Sequence, residues 1–241
     1  MEMDKRISGL GLAALLVLSG LATTAQATLI SRLGGLAYYD TVLGITWAAN
    51  ANINGANTWA NQKAWAAGLT LGGVSGWRLP TLRPIDGSAS FNTVFSNNAT
   101  TDIGYATAAG WVDSSNNPVS EMGYMYYVNL GNLGRCTPNG RGNSTSCVTQ
   151  PGWGLSHTDP FTNVQSGSYW SGTEFAPGTG NAWGFGFGFG VQGARSKSLG
   201  FFAWAVRSGD VAAPVPEPST LALLGLGLAG IGFGKRSKRR L

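Results

Sequence analysis

Apolar residues run nearly unbroken at the two ends of the chain, Ile7 to Ala22 and Leu221 to Phe233, and are patterned in between. Ala37 to Asp40 and Ile45 to Trp47 read as short strands around a Val42-Leu43-Gly44 turn. A helix is predicted from Thr58 to about Leu69, with Asn57 or Thr58 as N-cap and Gly68 near its end. Its stripe is Trp59, Lys63, Ala66 and Ala67; Trp65 lies off it and needs another neighbour. A second helix is predicted from Ser120 to Leu130. Met122, Met125, Tyr126 and Leu130 fall at helical spacing, with Ser120 as N-cap and Gly131 just past the end. Asn97-Asn98, Ser114 to Asn117 and Thr137 to Ser146 are loops by composition.

The clearest periodicity is Trp183-Gly-Phe-Gly-Phe-Gly-Phe-Gly-Val191. Period two puts Trp183, Phe185, Phe187, Phe189 and Val191 on one face of a strand and four glycines on the other. Phe202, Trp204 and Val206 alternate likewise as the partner strand, with Gln192 to Ser198 as a polar, cationic hairpin loop. One face must be core, while the glycine face allows a chain segment or flat ligand to come close. Core packing is the preferred reading of these aromatics over a sugar-stacking platform.

The ends carry addresses. Lys5 and Arg6, the first apolar run and Ala25-Gln26-Ala27 form a secretory signal peptide over 1–27, cut by signal peptidase after Ala27. At the other end, Val215, Pro216, Glu217, Pro218 and Ser219 precede the second apolar run, and Lys235, Arg236, Lys238, Arg239 and Arg240 follow it. Pro216 and Pro218 hold Glu217 extended, the shape a protease subsite accepts. A helix from Leu221 to Phe233 rises ~20 Å, short of the ~30 Å hydrocarbon core, so flanking residues complete a membrane segment of about 219–234. The cations orient it with Leu241 inside and everything before Val215 outside. A plain tail anchor would leave the Pro-Glu-Pro element without a purpose. This tail, 211–241, resembles the PEP-CTERM sorting signal, which implies a membrane peptidase of the exosortase family as partner and transient residence in the membrane. The same tail occurs on unrelated proteins, ice-binding proteins among them, so it implies no activity.

Removing both ends changes the charge picture. The whole chain is formally +5, yet Thr28 to Pro218 holds nine Lys or Arg and nine Asp or Glu. Nucleic-acid binding needs a sustained cationic face, so that class is excluded. A surface rich in Gly, Asn, Ser and Thr suits neutral polymers outside the cell. Positions 28–210 suffice for one domain with its own core. Cys136 and Cys147, the only cysteines, are expected to form a disulfide in an oxidising compartment. A reactive thiol pair is the less favoured alternative, and with His157 the sole histidine no metal site is expected.

Gly76-Trp77-Arg78-Leu79-Pro80-Thr81 lies downstream of Ile45-Thr46-Trp47 and of Trp59 and Trp65. It lies upstream of Tyr169-Trp170-Ser171-Gly172-Thr173-Glu174, Asn181-Ala182-Trp183 and Ala205-Val206-Arg207. In this order the segments, Tyr38 to Arg207, resemble the Lcl C-terminal domain family, which is similar to the C-type-lectin-like fold. That implies an α+β domain of short antiparallel strands and two helices, some members of which bind sulfated glycans or other surface polymers. Here Pro84 follows Pro80 closely and should stop the helix the family places there; Gly87 to about Gln165 reads as an insertion carrying the displaced helix. Trp77 is expected in the core and Arg78 on a carboxylate such as Glu174, locking helix to sheet. Arg195 and Lys197, on the expected loop, are the better candidates for anionic groups of a polysaccharide.

Searches for chemistry return no G-x-S-x-G elbow, H-E-x-x-H, P-loop or Asp-rich calcium loop. His157 with Asp159, and Glu121 with Glu174, are isolated pairs with nothing in the sequence to bring them to a substrate. No catalytic residue, cofactor or metal is assigned. The expectation is an exported surface or matrix protein that binds or organises exopolysaccharide without turning it over. The alternatives are a carbohydrate-active enzyme, or an ice-binding or adhesion protein with the same tail.

Overall fold

The computed structural model describes residues 28–137 and 147–211. The leader with Ala25 and Ala27, the segment 138–146 between the cysteines, and the tail with Val215 to Ser219, the apolar run and the basic cluster lie outside the described residues. Among the described residues no helix is long and apolar enough to cross a membrane.

The described residues form a mixed α+β structure, mostly sheet, with two short helices. A four-stranded antiparallel sheet joins both ends of the domain: β1 (Leu29–Arg32), β2 (Ala37–Asp40) and β3 (Ile45–Ala48) are followed in space by the last strand, β11 (Val206–Ser208). The β2–β3 hairpin forms where the alternation predicts it. Asp40 caps its turn, its Oδ1 accepting from the Val42 and Leu43 N–H groups at 2.9 Å each. The second sheet has the order β4 (Phe95–Ser96), β5 (Ile103–Gly104), β10 (Val191–Ser196), β9 (Asn181–Gly186), β8 (Ser168–Glu174). Only β4–β5 is parallel there. A small ladder, β6 (Cys136–Thr137) with β7 (Val148–Thr149), brackets the Cys136–Cys147 disulfide, whose Cα atoms are 4.8 Å apart.

Helix α1 (Trp59–Gly68) follows Thr58, but its buried face is Trp59, Gln62 and Ala66; Lys63 and Ala67 are exposed, which corrects the predicted stripe. A glutamine can enter the core because its amide is fully engaged. Gln62 Oε1 accepts from Asn54, and Nε2 donates to the Gly55 and Phe201 carbonyls at 2.8 and 2.9 Å. Trp65, half-buried, packs against two apolar clusters, the main core that holds Trp47 and Trp204 and a smaller one that holds Trp59, Leu79 and Trp170. Helix α2 (Glu121–Tyr124) starts at Ser120, whose Oγ accepts from the Gly123 N–H at 3.1 Å and donates to Gln192 Oε1. It runs into a π-helical turn, Met125–Asn129, that ends before Gly131 at φ +65°. Met122, Met125, Tyr126 and Leu130 are all buried.

The Trp183–Val191 stretch is not one strand. The chain turns over Phe187 to Gly190, and Val191 to Ser196 return as β10 against β9, with Val191 opposite Gly186. The predicted loop Gln192–Ser198 is therefore largely strand, and Phe202 to Val206 are not its partner. Perfect alternation contains no mark of where a strand stops. The turn is decided by contact, since a Cβ at Gly188 would lie 2.2 Å from the Ser166 carbonyl oxygen, and Gly190 sits at φ +70°. Phe202 instead pairs beside β8 and Val206 beside β3, so the chain steps from one sheet to the other with Trp204 between. Trp204 packs edge-on to Trp47 and Phe161, with centroids 5.0 and 4.9 Å away, and faces Phe187 at 5.8 Å.

Candidate functional site

The motif residues that carry the family resemblance assemble into a seam joining the two sheets. Arg78 exchanges backbone hydrogen bonds with Val206, at 2.7 and 2.8 Å. On the other side, the Gly172 N–H and the Ser171 hydroxyl donate to the Pro80 carbonyl at 2.7 and 2.9 Å. Trp77 is buried with Nε1 on the Val74 carbonyl, and Trp47, Leu79, Tyr169, Trp170 and Trp183 are buried as well. Thr173 Oγ1 accepts from the Leu82 N–H at 3.2 Å, and Arg207 donates to the Ser75 carbonyl at 3.0 Å. These contacts hold the fold together and leave little of the motif facing solvent.

The carboxylate partner of Arg78 is Glu121, not Glu174. The guanidinium grips it with two 2.8 Å bonds, and Glu121 Oε2 also accepts from the Thr81 N–H at 2.7 Å. Chain separation hid this partner, because α2 is folded back on the motif by the Leu82–Ser120 bridge. Glu174 is taken by Lys197, which also donates to the Thr179 carbonyl at 2.5 Å. Trp59 receives two ammonium groups, Lys197 at 4.3 Å and Lys63 at 4.2 Å from its ring centre. Lys197 thus has internal partners, and Arg195 lies exposed on a strand with its guanidinium on the Ala194 carbonyl. The predicted loop pair for an anionic ligand is not a pair of free cations on a loop.

The candidates for acid–base chemistry are likewise dispersed. His157 is exposed and no hydrogen bond joins it to Asp159; its Nδ1 lies 3.4 Å from Ser156 Oγ. Asp40 and Asp102 are fully buried, and burial raises the pKa of both against the hydrogen bonds each accepts. Among the described residues, no cluster of three or more His, Cys, Asp or Glu gathers where a metal could sit. A cleft of about 380 Å³ is lined by apolar groups such as Leu36, Tyr38, Ile53 and Leu71.

Among the described residues, Asp113 is the carboxyl driven strongly downward, to about 2. Its bond to Arg83 is the main cause, and the N–H groups of Asn117 and Ser115 add to it. A depressed folded pKa contributes stability above the unfolded value of 3.8 that disappears as pH falls toward 2. Arg83→Gln is expected to move the Asp113 midpoint, followed by carboxyl NMR, back up toward 3.8. A midpoint unmoved by the substitution would refute the assignment.

The surface feature that sequence reasoning missed is aromatic. Trp153 and Phe189 are 38 % and 45 % exposed, yet their rings stack on one another, 14° from parallel with centroids 5.5 Å apart. Arg135 extends over Trp153, 5.8 Å from the ring centre. Periodicity assigned Phe189 to the core, but the turn at Phe187–Gly190 carries it out. Trp153 sits in a Pro-Gly-Trp-Gly sequence whose only signal was the flanking turn residues.

Compared with known families, residues 214–240 match the PEP-CTERM protein-sorting motif. No curated protein and no solved structure matches the chain. The matched motif supports an exported protein, sorted by exosortase and held transiently at the membrane on its way to the cell surface.

Proposed function

We propose that the domain over 28–210 is a non-enzymatic binding module that binds or organises exopolysaccharide at the cell surface or in the extracellular matrix. One observation carries the reading: a domain attached to an export signal at 214–240 leaves a stacked Trp153–Phe189 pair open to solvent. Rings of that kind recognise the apolar faces of sugars. The two glutamates that could have formed an acid–base couple are spent on Arg78 and Lys197, which favours binding over turnover. A C-type-lectin-like fold of the Lcl kind is supported by the first and last strands sharing one sheet, as its two edges, and by the motif seam.

Two experiments test this function. Replacing Pro216, Glu217 and Pro218 by Ala is expected to trap the chain in the membrane fraction, where mass spectrometry would find Leu241 intact. Release of that variant at the wild-type level would contradict sorting through the motif. The purified chain is expected to migrate more slowly in native gels containing polysaccharide than in blank gels. Equal mobility with acidic and neutral polymers alike would end the polysaccharide reading.

A further inference from the structure

Resting on that reading, we propose that Trp153, Phe189 and Arg135 form a site for acidic polysaccharide. The rings support the flat face of a uronate residue and the guanidinium takes its carboxylate.

The rings are preorganised by backbone that cannot easily move. The Arg135 N–H donates to the Phe189 carbonyl at 2.8 Å, and the Gly154 N–H to the Leu133 carbonyl at 2.9 Å, so three chain segments interlock. Beneath them, Tyr127 Oη donates to the Gly190 carbonyl at 2.6 Å and Tyr126 Oη to the Leu133 carbonyl at 3.0 Å. The packing leaves no room at Gly190, where a Cβ would come within 2.7 Å of Tyr126 and 2.8 Å of Gly134. Exposed aromatics on such a base lose little conformational entropy when a ligand settles on them.

Charge selects the class of sugar. Arg32, Arg78, Arg83 and Lys197 each have an acidic partner, whereas the Arg135 guanidinium has no hydrogen bond or ion pair among the described residues. A neutral glycan would leave it idle. A carboxylate would accept two parallel N–H bonds from its fork while the sugar ring lies on the indole beside it. A single-stranded nucleic acid also offers flat rings and negative charge, but one cation and a balanced body cannot neutralise a run of phosphates.

Affinity electrophoresis of the full chain in detergent, in gels holding polygalacturonate, dextran or neither, tests the site; binding of oligo-dT is measured in parallel. The basic tail is common to every variant, so differences between variants are read. Wild type should be retarded most by polygalacturonate. Trp153→Ala, Phe189→Ala and Arg135→Gln should each weaken that binding about tenfold, the size of one lost contact of this strength. Arg135→Lys should fall between, and Arg195→Gln should match wild type. All five lie at the surface, and unchanged melting curves would show that they fold. Polygalacturonate binding that survives the first three substitutions overturns this site and leaves the proposed function standing. Absence of wild-type binding to both polymers overturns the two together. Equal retardation by dextran, insensitive to Arg135→Gln, removes the acidic specificity, and tighter binding of oligo-dT than of polygalacturonate rejects the glycan assignment.

Discussion

Trp204→Ala is expected to destabilise the domain by about 4 kcal/mol, the upper part of the range for deleting a large buried aromatic. The indole is fully buried where the chain crosses from one sheet to the other, edge-on to Trp47 and Phe161 and near Phe187 and Tyr169. Its removal opens a cavity that neither sheet can close alone. It also strips the buried Ala48 carbonyl of its 2.8 Å bond from Nε1. Against a total of roughly 5–15 kcal/mol for a domain, this leaves a marginal fold. Urea denaturation of the variant against wild type measures the loss. A cost below about 1.5 kcal/mol would mean that Trp204 does not bridge the sheets as described. Phe189→Ala, which removes an exposed ring, is the control and should stay within about 0.5 kcal/mol.

Glu121→Ala should produce the second large effect, about 2 kcal/mol. The carboxylate serves three donors at once, two on Arg78 and one on the Thr81 backbone, and its loss leaves all three short of an acceptor. A fully buried pair would cost about 3–5 kcal/mol to break, but the Arg78 side chain is 32 % exposed and that of Glu121 16 %, so water recovers part of the loss. Glu121→Gln should cost about half as much, because one oxygen can still accept from Thr81. A double-mutant cycle with Arg78→Gln isolates the pair. A coupling indistinguishable from zero would refute its role in clamping α2 to the seam. The carboxyl of Asp40 supplies a second readout: burial is the main reason its pKa is raised, and the charge of Glu121 adds to it. Removing that charge should let the Asp40 midpoint fall.

Legibility from sequence followed the range of the forces involved. The β2–β3 hairpin, the start of α1 and the Ser120 cap of α2 were readable because alternation, caps and turn residues act over a few positions. The α1 stripe was misread because Gln62 is buried by hydrogen bonds to Gly55 and to the distant Phe201. The Phe-Gly repeat was misread because its even spacing fits a strand of any length. Glu121 as partner of Arg78 was invisible for a different reason: an ion pair depends on where two elements meet, and 43 positions separate the two residues.

The sequence by itself determined the sorting motif at 214–240, the charge balance of the body and the local elements, since each depends on residues close along the chain. Tertiary structure alone decided which aromatics are core and which are surface. Trp183, Phe185 and Phe187 are buried in the core, while Phe189, two positions on, emerges beside Trp153 because the chain turns over Phe187 to Gly190, where a Cβ at Gly188 would strike the Ser166 carbonyl and one at Gly190 would strike Tyr126 and Tyr127. Exposure belongs to the packed molecule, and the candidate binding surface could be recognised only once that packing was known.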